Sequence, residues 1–174
     1  MSATDRKQII KNEDDLVITR IFDAPRKLVF KAWTDPAHLI HWWAPMGCTT
    51  PFCEVDLRVG GKFHFCMRMP DGLEIWGLGI YREIVEPERI VYVDTFADAK
   101  GNIVPPSHYG MSMGYPSETV VTVTFSEQDG KTKLTLRHSV PGVFAEREGM
   151  QQGWSQMLDR LVVTLANAMK GRTS

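Results

Sequence analysis

Apolar and polar side chains alternate most regularly in two segments of the second half of the chain, residues 119–125 and 132–138. Successive side chains of a β-strand point to opposite faces, so this alternation predicts two strands, each with an apolar and a polar face. The tight loop at residues 127–130 predicts that they form an antiparallel hairpin. Leu134, Leu136 and His138 share one face of the second strand. The hairpin therefore turns one side toward a core and the other toward water.

The other apolar runs before the last segment are short, rich in β-branched and aromatic residues, and bounded by turn-forming residues, as is typical of strands. The predicted strands cover residues 16–22, 52–57, 63–69, 73–85 and 90–96. Turns rich in glycine and proline, at residues 60–61, 70–72 and 86–88, separate most of them. Because these connections are short, neighbouring strands should run antiparallel.

Three segments predict helices. Pro25 and Pro36 each begin a short helix, since proline loses no hydrogen bond in the first helical turn. A long helix covers residues 144–170, where apolar residues recur every three or four positions. At about 1.5 Å per residue it is long enough to cross a sheet. The fold class is therefore α+β: a curved antiparallel sheet of about seven strands wrapped round a long C-terminal helix, with two short helices after strand one.

The charge balance narrows the range of partners. The 174 residues carry 20 basic and 21 acidic side chains, for a net charge of −1. No excess of positive charge therefore attracts the protein to nucleic acid. A hydrophobic content of 43% is ordinary for a globular protein. We expect a polar lead-in at residues 1–14 and a single domain at residues 15–171.

Location and redox state follow from two further features. No segment approaches the roughly 18 consecutive apolar residues of a membrane span, and the polar start has no apolar centre typical of an export signal. The three cysteines, Cys48, Cys53 and Cys66, are irregularly spaced and odd in number, which favours free thiols over a disulfide framework. We therefore expect a cytoplasmic protein without membrane insertion.

Several short motifs follow one another from about residue 16 to residue 169. They are ITR at 18–20, FDAP at 22–25, AWTDP at 32–36, WW at 42–43, DLRVGG at 56–61, PDG at 70–72, GIYREI at 79–84, PERI at 87–90, GW at 153–154 and LDRL at 158–161. With these motifs the chain resembles the domain family named after the activator of the heat-shock-protein-90 ATPase. That family is part of the helix-grip superfamily of birch pollen allergen, START lipid-transfer and polyketide cyclase proteins.

The resemblance implies a cavity between the sheet and the long helix, where superfamily members bind sterols, lipids, flavonoids or polyketides. Our leading hypothesis is a protein that binds an apolar or amphipathic small molecule there without a cofactor, as a monomer or homodimer. The first alternative is a chaperone-associated protein that regulates a heat-shock-protein ATPase. The second is a cofactor-independent enzyme similar to the cyclases or hydrolases.

Large side chains supply the candidate pocket. The residues expected to line it are Trp42, Trp43, Phe63, Phe65, Trp76, Tyr81, Tyr92, His138, Trp154 and Leu158. Each can also simply fill the core, because a sheet wrapped on a helix needs bulky side chains. Gly77 and Gly79 share one face of a strand, which indicates that a ligand or the helix approaches the backbone closely.

The long connection at residues 98–116 is a candidate lid, since long loops are often functional. The residues expected to close over the pocket mouth are Tyr109, Met111, Met113 and Tyr115. The same apolar side chains could instead pack on a partner subunit.

Polar residues on the strands are candidates for acid–base work or for orienting a ligand's hydroxyls, where they face inward. They are His64, Arg68, Glu74, Tyr81, Tyr92, Asp94 and His138. His138 is the best of them, because it continues the apolar face of the hairpin, and a hydrogen-bonded structural histidine is its alternative interpretation. His38 and His41 have the spacing to reach one metal ion, but without a third ligand in the pattern we predict no metal. The motifs of the common hydrolases and nucleotide-binding proteins are absent from the sequence.

Overall fold

The sheet accounts for most of the regular structure in the computed structural model, which describes residues 15–144 and 146–171. The predicted lead-in at residues 1–14 lies outside these residues. The strands are β1 (Leu16–Phe22), β2 (Thr49–Val55), β3 (Lys62–Arg68), β4 (Glu74–Val85), β5 (Arg89–Ala97), β6 (Ile103–Val104), β7 (Thr119–Gln128) and β8 (Lys131–His138). The helices are α1 (Arg26–Thr34), α2 (Pro36–Leu39) and α3 (Glu146–Met169), with a 3₁₀ turn at Pro106–Tyr109.

The strands form one antiparallel sheet in the order β1-β8-β7-β5-β4-β3-β2, and the short β6 pairs with β5 beside this path. The predicted hairpin is formed by β7 and β8, with Val123 opposite Leu136. The α+β fold class, the curved sheet and the two short helices after strand one are confirmed. The register shifts between Tyr81 and Glu83 in β4, and such irregularities bend a strand and increase its twist.

The two short helices begin at different positions relative to their prolines. Pro25 is the extended residue that precedes α1, with φ −68° and ψ 149°, whereas Pro36 is the first residue of α2. The carboxylate of Asp35 caps α2 by accepting a hydrogen bond of 2.9 Å from the Ala37 amide, which satisfies a backbone donor that the helix leaves free. The sequence therefore predicted both helices, with the first placed one residue early.

The long helix packs one stripe of side chains against the concave face of the sheet. The buried residues of this stripe are Trp154, Met157, Leu158, Leu161 and Leu165. Full burial of an aliphatic side chain stabilises a fold by about 1.5–3 kcal/mol, so this stripe is the main attachment of α3. No helix within the described residues is long and apolar enough to cross a membrane.

Gly77 and Gly79 lie on the concave face, and both make room for aromatic rings. A Cβ atom at Gly77 would collide with the Phe65 ring, and one at Gly79 would lie 3.0 Å from the Tyr92 ring. The groups that approach this backbone are therefore side chains of the neighbouring strands, rather than the helix or ligand that the sequence suggested. The rings of Phe65 and Tyr92 can consequently lie close against the sheet.

Candidate functional site

An aromatic cluster fills the space between the concave face of the sheet and α3. Trp43 lies at its centre, with ring centroids 5.0 Å from Phe63, 5.6 Å from Phe65 and 5.4 Å from Trp154. Trp33 of α1 stacks on Trp154 at 6.0 Å. Of the predicted pocket residues, Trp43, Phe63, Phe65 and Trp154 thus lie together. Trp33 was not among them, because its helical spacing indicated only that it packs α1 on the core.

Two predicted pocket residues are packed completely and serve the core. Leu158 and Trp42 have no exposed surface. The indole Nε1 of Trp42 donates to the carbonyl oxygen of Ala32 at 3.0 Å, so the ring ties the turn after α2 to α1. A buried and satisfied indole of this kind stabilises the helix pair.

Trp76 lies on the opposite, convex face of the sheet, and its predicted place in the pocket needs correction. Its ring packs 5.3 Å from Phe52 and 5.2 Å from His64. The strand alternation explains this placement, because the neighbouring Gly77 faces the interior and successive residues face opposite sides. Glu74 lies two residues before Trp76 on the same convex face of β4, where its carboxylate accepts two hydrogen bonds from the Arg68 guanidinium.

His138 lies at the end of β8 in a buried polar network. The Trp154 indole Nε1 donates to His138 Nδ1 at 3.1 Å, so the imidazole carries its proton on Nε2. That nitrogen lies 2.8 Å from Thr119 Oγ1 and 3.8 Å from Asp94 Oδ2. Burial lowers the pKa of His138 to about 4, which keeps the ring neutral at pH 7. The imidazole thus presents an N–H group toward Thr119 and Asp94.

Asp94 is the most strongly perturbed acid of this face. It shares the concave side of β5 with Tyr92, yet its side chain keeps 30% of its exposure. Burial raises its pKa to about 7, because removal of water disfavours the charged carboxylate. Asp94 was one of the candidate acid–base residues, and its two-residue spacing from Tyr92 is the signal that places both on the same face. A carboxyl with this pKa can take up or release a proton near pH 7.

Three buried donors of the interior have no hydrogen-bond partner among the described residues. They are the indole Nε1 atoms of Trp33 and Trp43 and the hydroxyl of Tyr81. The phenol ring of Tyr81 packs 6.3 Å from that of Tyr92, and burial raises the pKa of both hydroxyls. Each unsatisfied buried donor costs about 1–3 kcal/mol. The interior thus contains hydrogen-bond donors that the packing of the core leaves unused.

The four predicted lid residues lie in different environments. Tyr109 donates its hydroxyl to Ala97 O at 2.6 Å and accepts from Trp76 N at 3.2 Å, so it bridges the ends of β5 and β4. Tyr115 is buried, with its hydroxyl 3.2 Å from the sulfur of Met150. Met111 is half-buried, while Met113 is 99% exposed. Tyr115 therefore contacts α3, whereas Met113 projects into solvent.

One carboxylate joins this connection to the start of α3. Glu146 accepts hydrogen bonds from the Ser112 amide at 2.7 Å and from the Ser112 hydroxyl at 2.6 Å. These bonds lower the pKa of Glu146. The ring of Phe144 packs 5.3 Å from Tyr115 beside them. The connection is thus held to the first turn of the helix at one side of the interior cluster.

Metal-ligating and redox groups are dispersed. Among residues 15–144 and 146–171, no group of three His, Cys, Asp or Glu side chains is gathered as metal ligands. His38 and His41 both line a surface cleft beside α3. Cys48, Cys53 and Cys66 are free thiols, and burial raises the pKa of Cys53 to about 12 and that of Cys66 to about 11, so neither thiol is activated.

A curved antiparallel sheet wrapped round a long C-terminal helix defines the chain as a helix-grip protein. The family model described as "Activator of Hsp90 ATPase homolog 1-like protein" matches residues 23–166, and the chain belongs to this family.

Solved structures agree with this assignment. A protein from Chromobacterium violaceum is 27% identical, with a TM-score of 0.70 over 88% of this chain and 98% of its own. One from Arthrobacter aurescens is 26% identical, with a TM-score of 0.74 over 88% of this chain and 87% of its own. The AHSA1 protein of Silicibacter pomeroyi, 22% identical, shares the fold with a TM-score of 0.66 over 87% of this chain and 97% of its own. No curated protein matches the sequence.

Proposed function

We propose that this protein is a cytoplasmic helix-grip domain that binds an amphipathic small molecule between its sheet and α3. The observation that carries the proposal is the set of unpartnered donors at Trp33, Trp43 and Tyr81 inside the aromatic cluster. A ligand with an acceptor oxygen could satisfy such donors while its apolar body packs against the rings. Family membership supports the proposal, because the fold is compatible with ligand binding.

The polar network at His138 defines the second end of the proposed ligand. Asp94 is partly exposed and the neutral His138 carries its proton on Nε2. A hydroxyl group placed here could donate to the Asp94 carboxylate and accept from the Thr119 hydroxyl, whose oxygen already accepts from His138 Nε2. We therefore expect a mostly apolar ligand with a carbonyl or ether oxygen near Tyr81 and a hydroxyl near Asp94.

The filled aromatic cluster requires that rings move when a ligand binds. Trp43 and Trp154 are buried, with edge-to-face contacts between them. Ligand uptake should therefore change their fluorescence, since it replaces ring contacts with ligand contacts. The protein would bind by rearrangement rather than into a large preformed hole.

Nile red, a neutral apolar dye with a carbonyl oxygen, is the probe for this site. We expect wild-type protein to bind it with enhanced dye fluorescence, and native mass spectrometry to find a co-purified small molecule or a 1:1 dye complex. Tyr81→Phe removes an unpartnered hydroxyl, so it should leave the fold intact and weaken dye binding by about tenfold. The matched control is Tyr109→Phe, which removes a hydroxyl bonded at the strand ends and should leave dye affinity unchanged. A protein that takes up neither dye nor any co-purified molecule would contradict the proposal.

A second candidate function is docking on a heat-shock chaperone, which the family description favours. Met113 is 99% and Val143 86% exposed, on the two loops that the Tyr115 and Phe144 contact joins. Exposed apolar side chains on neighbouring loops are typical of protein interfaces. If this face docks, Met113→Lys and Val143→Lys should abolish stimulation of the chaperone ATPase, while Val162→Lys on α3 should not. Absence of stimulation by the wild-type protein would remove this candidate.

A further inference from the structure

A second concave site lies outside the helix grip, on the side of α3 that faces away from the sheet. It is a cleft of about 970 Å³ bounded by α1, by α2 with the turn after it, and by the C-terminal half of α3. We call it the α1–α3 cleft. Its volume is in the range of small-molecule sites, and it shares no lining residue with the interior aromatic cluster or the polar network at His138.

The floor of the α1–α3 cleft is apolar and incompletely covered. Leu28 of α1, Met46 of the turn after α2, and Val163 of α3 line it. Met46 is 56% and Val163 60% exposed. Thr164 and Ala168 continue the floor along the helix with small side chains, which leaves room between the helices. Covering an apolar surface of this shape with a hydrophobic group lowers the free energy of the system.

Two positively charged side chains, Lys31 and Arg160, and two imidazoles, His38 and His41, line the cleft beside this floor. The acidic lining residue, Asp159, is already engaged by Arg20 at 2.9 Å. The cleft therefore combines an apolar floor with the positive charges of Lys31 and Arg160, which Asp159 does not neutralise because it is paired with Arg20.

Arg160 is fixed in place by the main chain. Its Nη1 atom donates to the carbonyl oxygens of Ala44 at 2.6 Å and Cys48 at 3.2 Å. All hydrogen bonds found for this guanidinium within the described residues start from Nη1, so Nε and Nη2 keep their donors for another acceptor. A preorganised guanidinium of this kind loses little side-chain freedom when it binds a carboxylate.

We propose that the α1–α3 cleft binds a small amphipathic carboxylate, with its carboxylate at Lys31 and Arg160 and its apolar tail along Leu28 and Val163. The enclosure by three helices favours a small molecule over a protein segment, and the basic lining favours an anion over a neutral amphiphile. This site does not depend on ligand binding in the interior.

Decanoate is the probe for this site, with decanol as its neutral analogue. Titration of the wild-type protein, followed by amide chemical shifts in two-dimensional NMR, should move the signals of Lys31, His41 and Val163 first. Decanol should bind at least about tenfold more weakly, because it lacks the charge that Lys31 and Arg160 recognise.

Two variants of α1 make a matched pair. Lys31→Gln should weaken decanoate binding by about tenfold, while Lys27→Gln, an exposed lysine of the same helix outside the cleft lining, should stay within about twofold of wild type. Both variants remove one charge from the helix, so they share any effect of net charge.

A third variant blocks the floor without changing charge. Thr164→Trp should fill the cleft and abolish decanoate binding while Nile red uptake in the interior is retained. Equal affinity for decanoate and decanol, equal loss in the two lysine variants, or shifts confined to Tyr81 and Trp154 would each overturn the proposal.

Discussion

The buried carboxyl of Asp94 should make the stability of this protein depend on pH in a way that one substitution removes. In the folded state its pKa is raised from 3.8 to about 7, so the folded protein holds this proton more tightly than the unfolded chain. Wild-type stability should therefore fall as the pH rises from about 4 to 7, and level off above the folded pKa. Asparagine is similar in size to aspartate and carries no charge, so the stability of Asp94→Asn should not fall over this pH range.

The size of the effect follows from the shift. About 3 pKa units at 1.36 kcal/mol each give an upper limit of about 4 kcal/mol. The side chain keeps 30% of its exposure, and water screens part of the penalty, so we expect about 2 kcal/mol. We subtract the unfolding free energy of wild type from that of Asp94→Asn at each pH. This difference should be about 2 kcal/mol larger at pH 8 than at pH 4.

Urea unfolding followed by tryptophan fluorescence at several pH values measures this difference. His138 contributes in the opposite direction, because its lowered pKa makes the folded state lose stability as the pH falls from 6.5 to about 4. Because His138 Nε2 lies 3.8 Å from Asp94 Oδ2, NMR titration of His138 in both proteins measures the part of this contribution that Asp94→Asn changes. Glu127→Gln, on the exposed end of β7, is the control for the loss of one carboxylate from a strand and should show the smaller change between pH 4 and pH 8. A pH-independent difference for Asp94→Asn would refute the reasoning.

Three other substitutions test the packing around the site. Gly77→Ala should destabilise the fold by about 2–4 kcal/mol, because the new methyl group collides with the Phe65 ring. Trp154→Phe should cost about 2–3 kcal/mol, since His138 Nδ1 loses its donor and the core loses ring volume. Arg160→Gln should cost about 1–3 kcal/mol, because carbonyl oxygens after α2 lose a charged donor. Urea unfolding of each variant measures all three.

Each of these predictions has its own check. Gly130→Ala is strained only by its φ of +78° and meets no atom within 4 Å, so it should cost less than Gly77→Ala. Trp154→Phe should also raise the pKa of His138, which NMR titration of the imidazole detects. Arg82→Gln, at an exposed position of β4, is the comparison for Arg160→Gln and should have the smaller effect. A result opposite to any of these three expectations would contradict the contact on which that prediction rests.

Much of the fold could be predicted because its elements carry strong periodic signals. The alternation that ends at His138 located β8 on its face, and the spacing around Leu158 located α3. The boundaries were less certain: β2 begins at Thr49, before the predicted residue 52. Its register shifts between Thr49 and Phe52, and alternation alone does not reveal such an irregularity.

The site was predicted only in part, because face assignment depends on neighbours that are distant in sequence. Trp43 and Trp154 meet across more than a hundred residues, and no local pattern indicates this contact. Trp76 has the composition of a pocket residue, and only its phase relative to Gly77 places it on the convex face. The α1–α3 cleft lies between elements that are far apart along the chain, so its basic side chains, such as Lys31 and Arg160, appear unrelated in the sequence.

The two ends of α3 are attached very differently. From Glu146 to Gly153 the helix contains no buried residue, and Gly149 and Gly153 each lower helix propensity by about 1 kcal/mol. Near Arg160, by contrast, the helix is anchored to the loop after α2 and to β1. Unwinding of the first two turns therefore exposes the partly buried Met150 but none of the five buried residues of the stripe. Amide hydrogens of these turns should exchange fastest along the helix. The N-terminal end of α3 is therefore the part of the helix that opens locally, while the rest stays packed on the sheet.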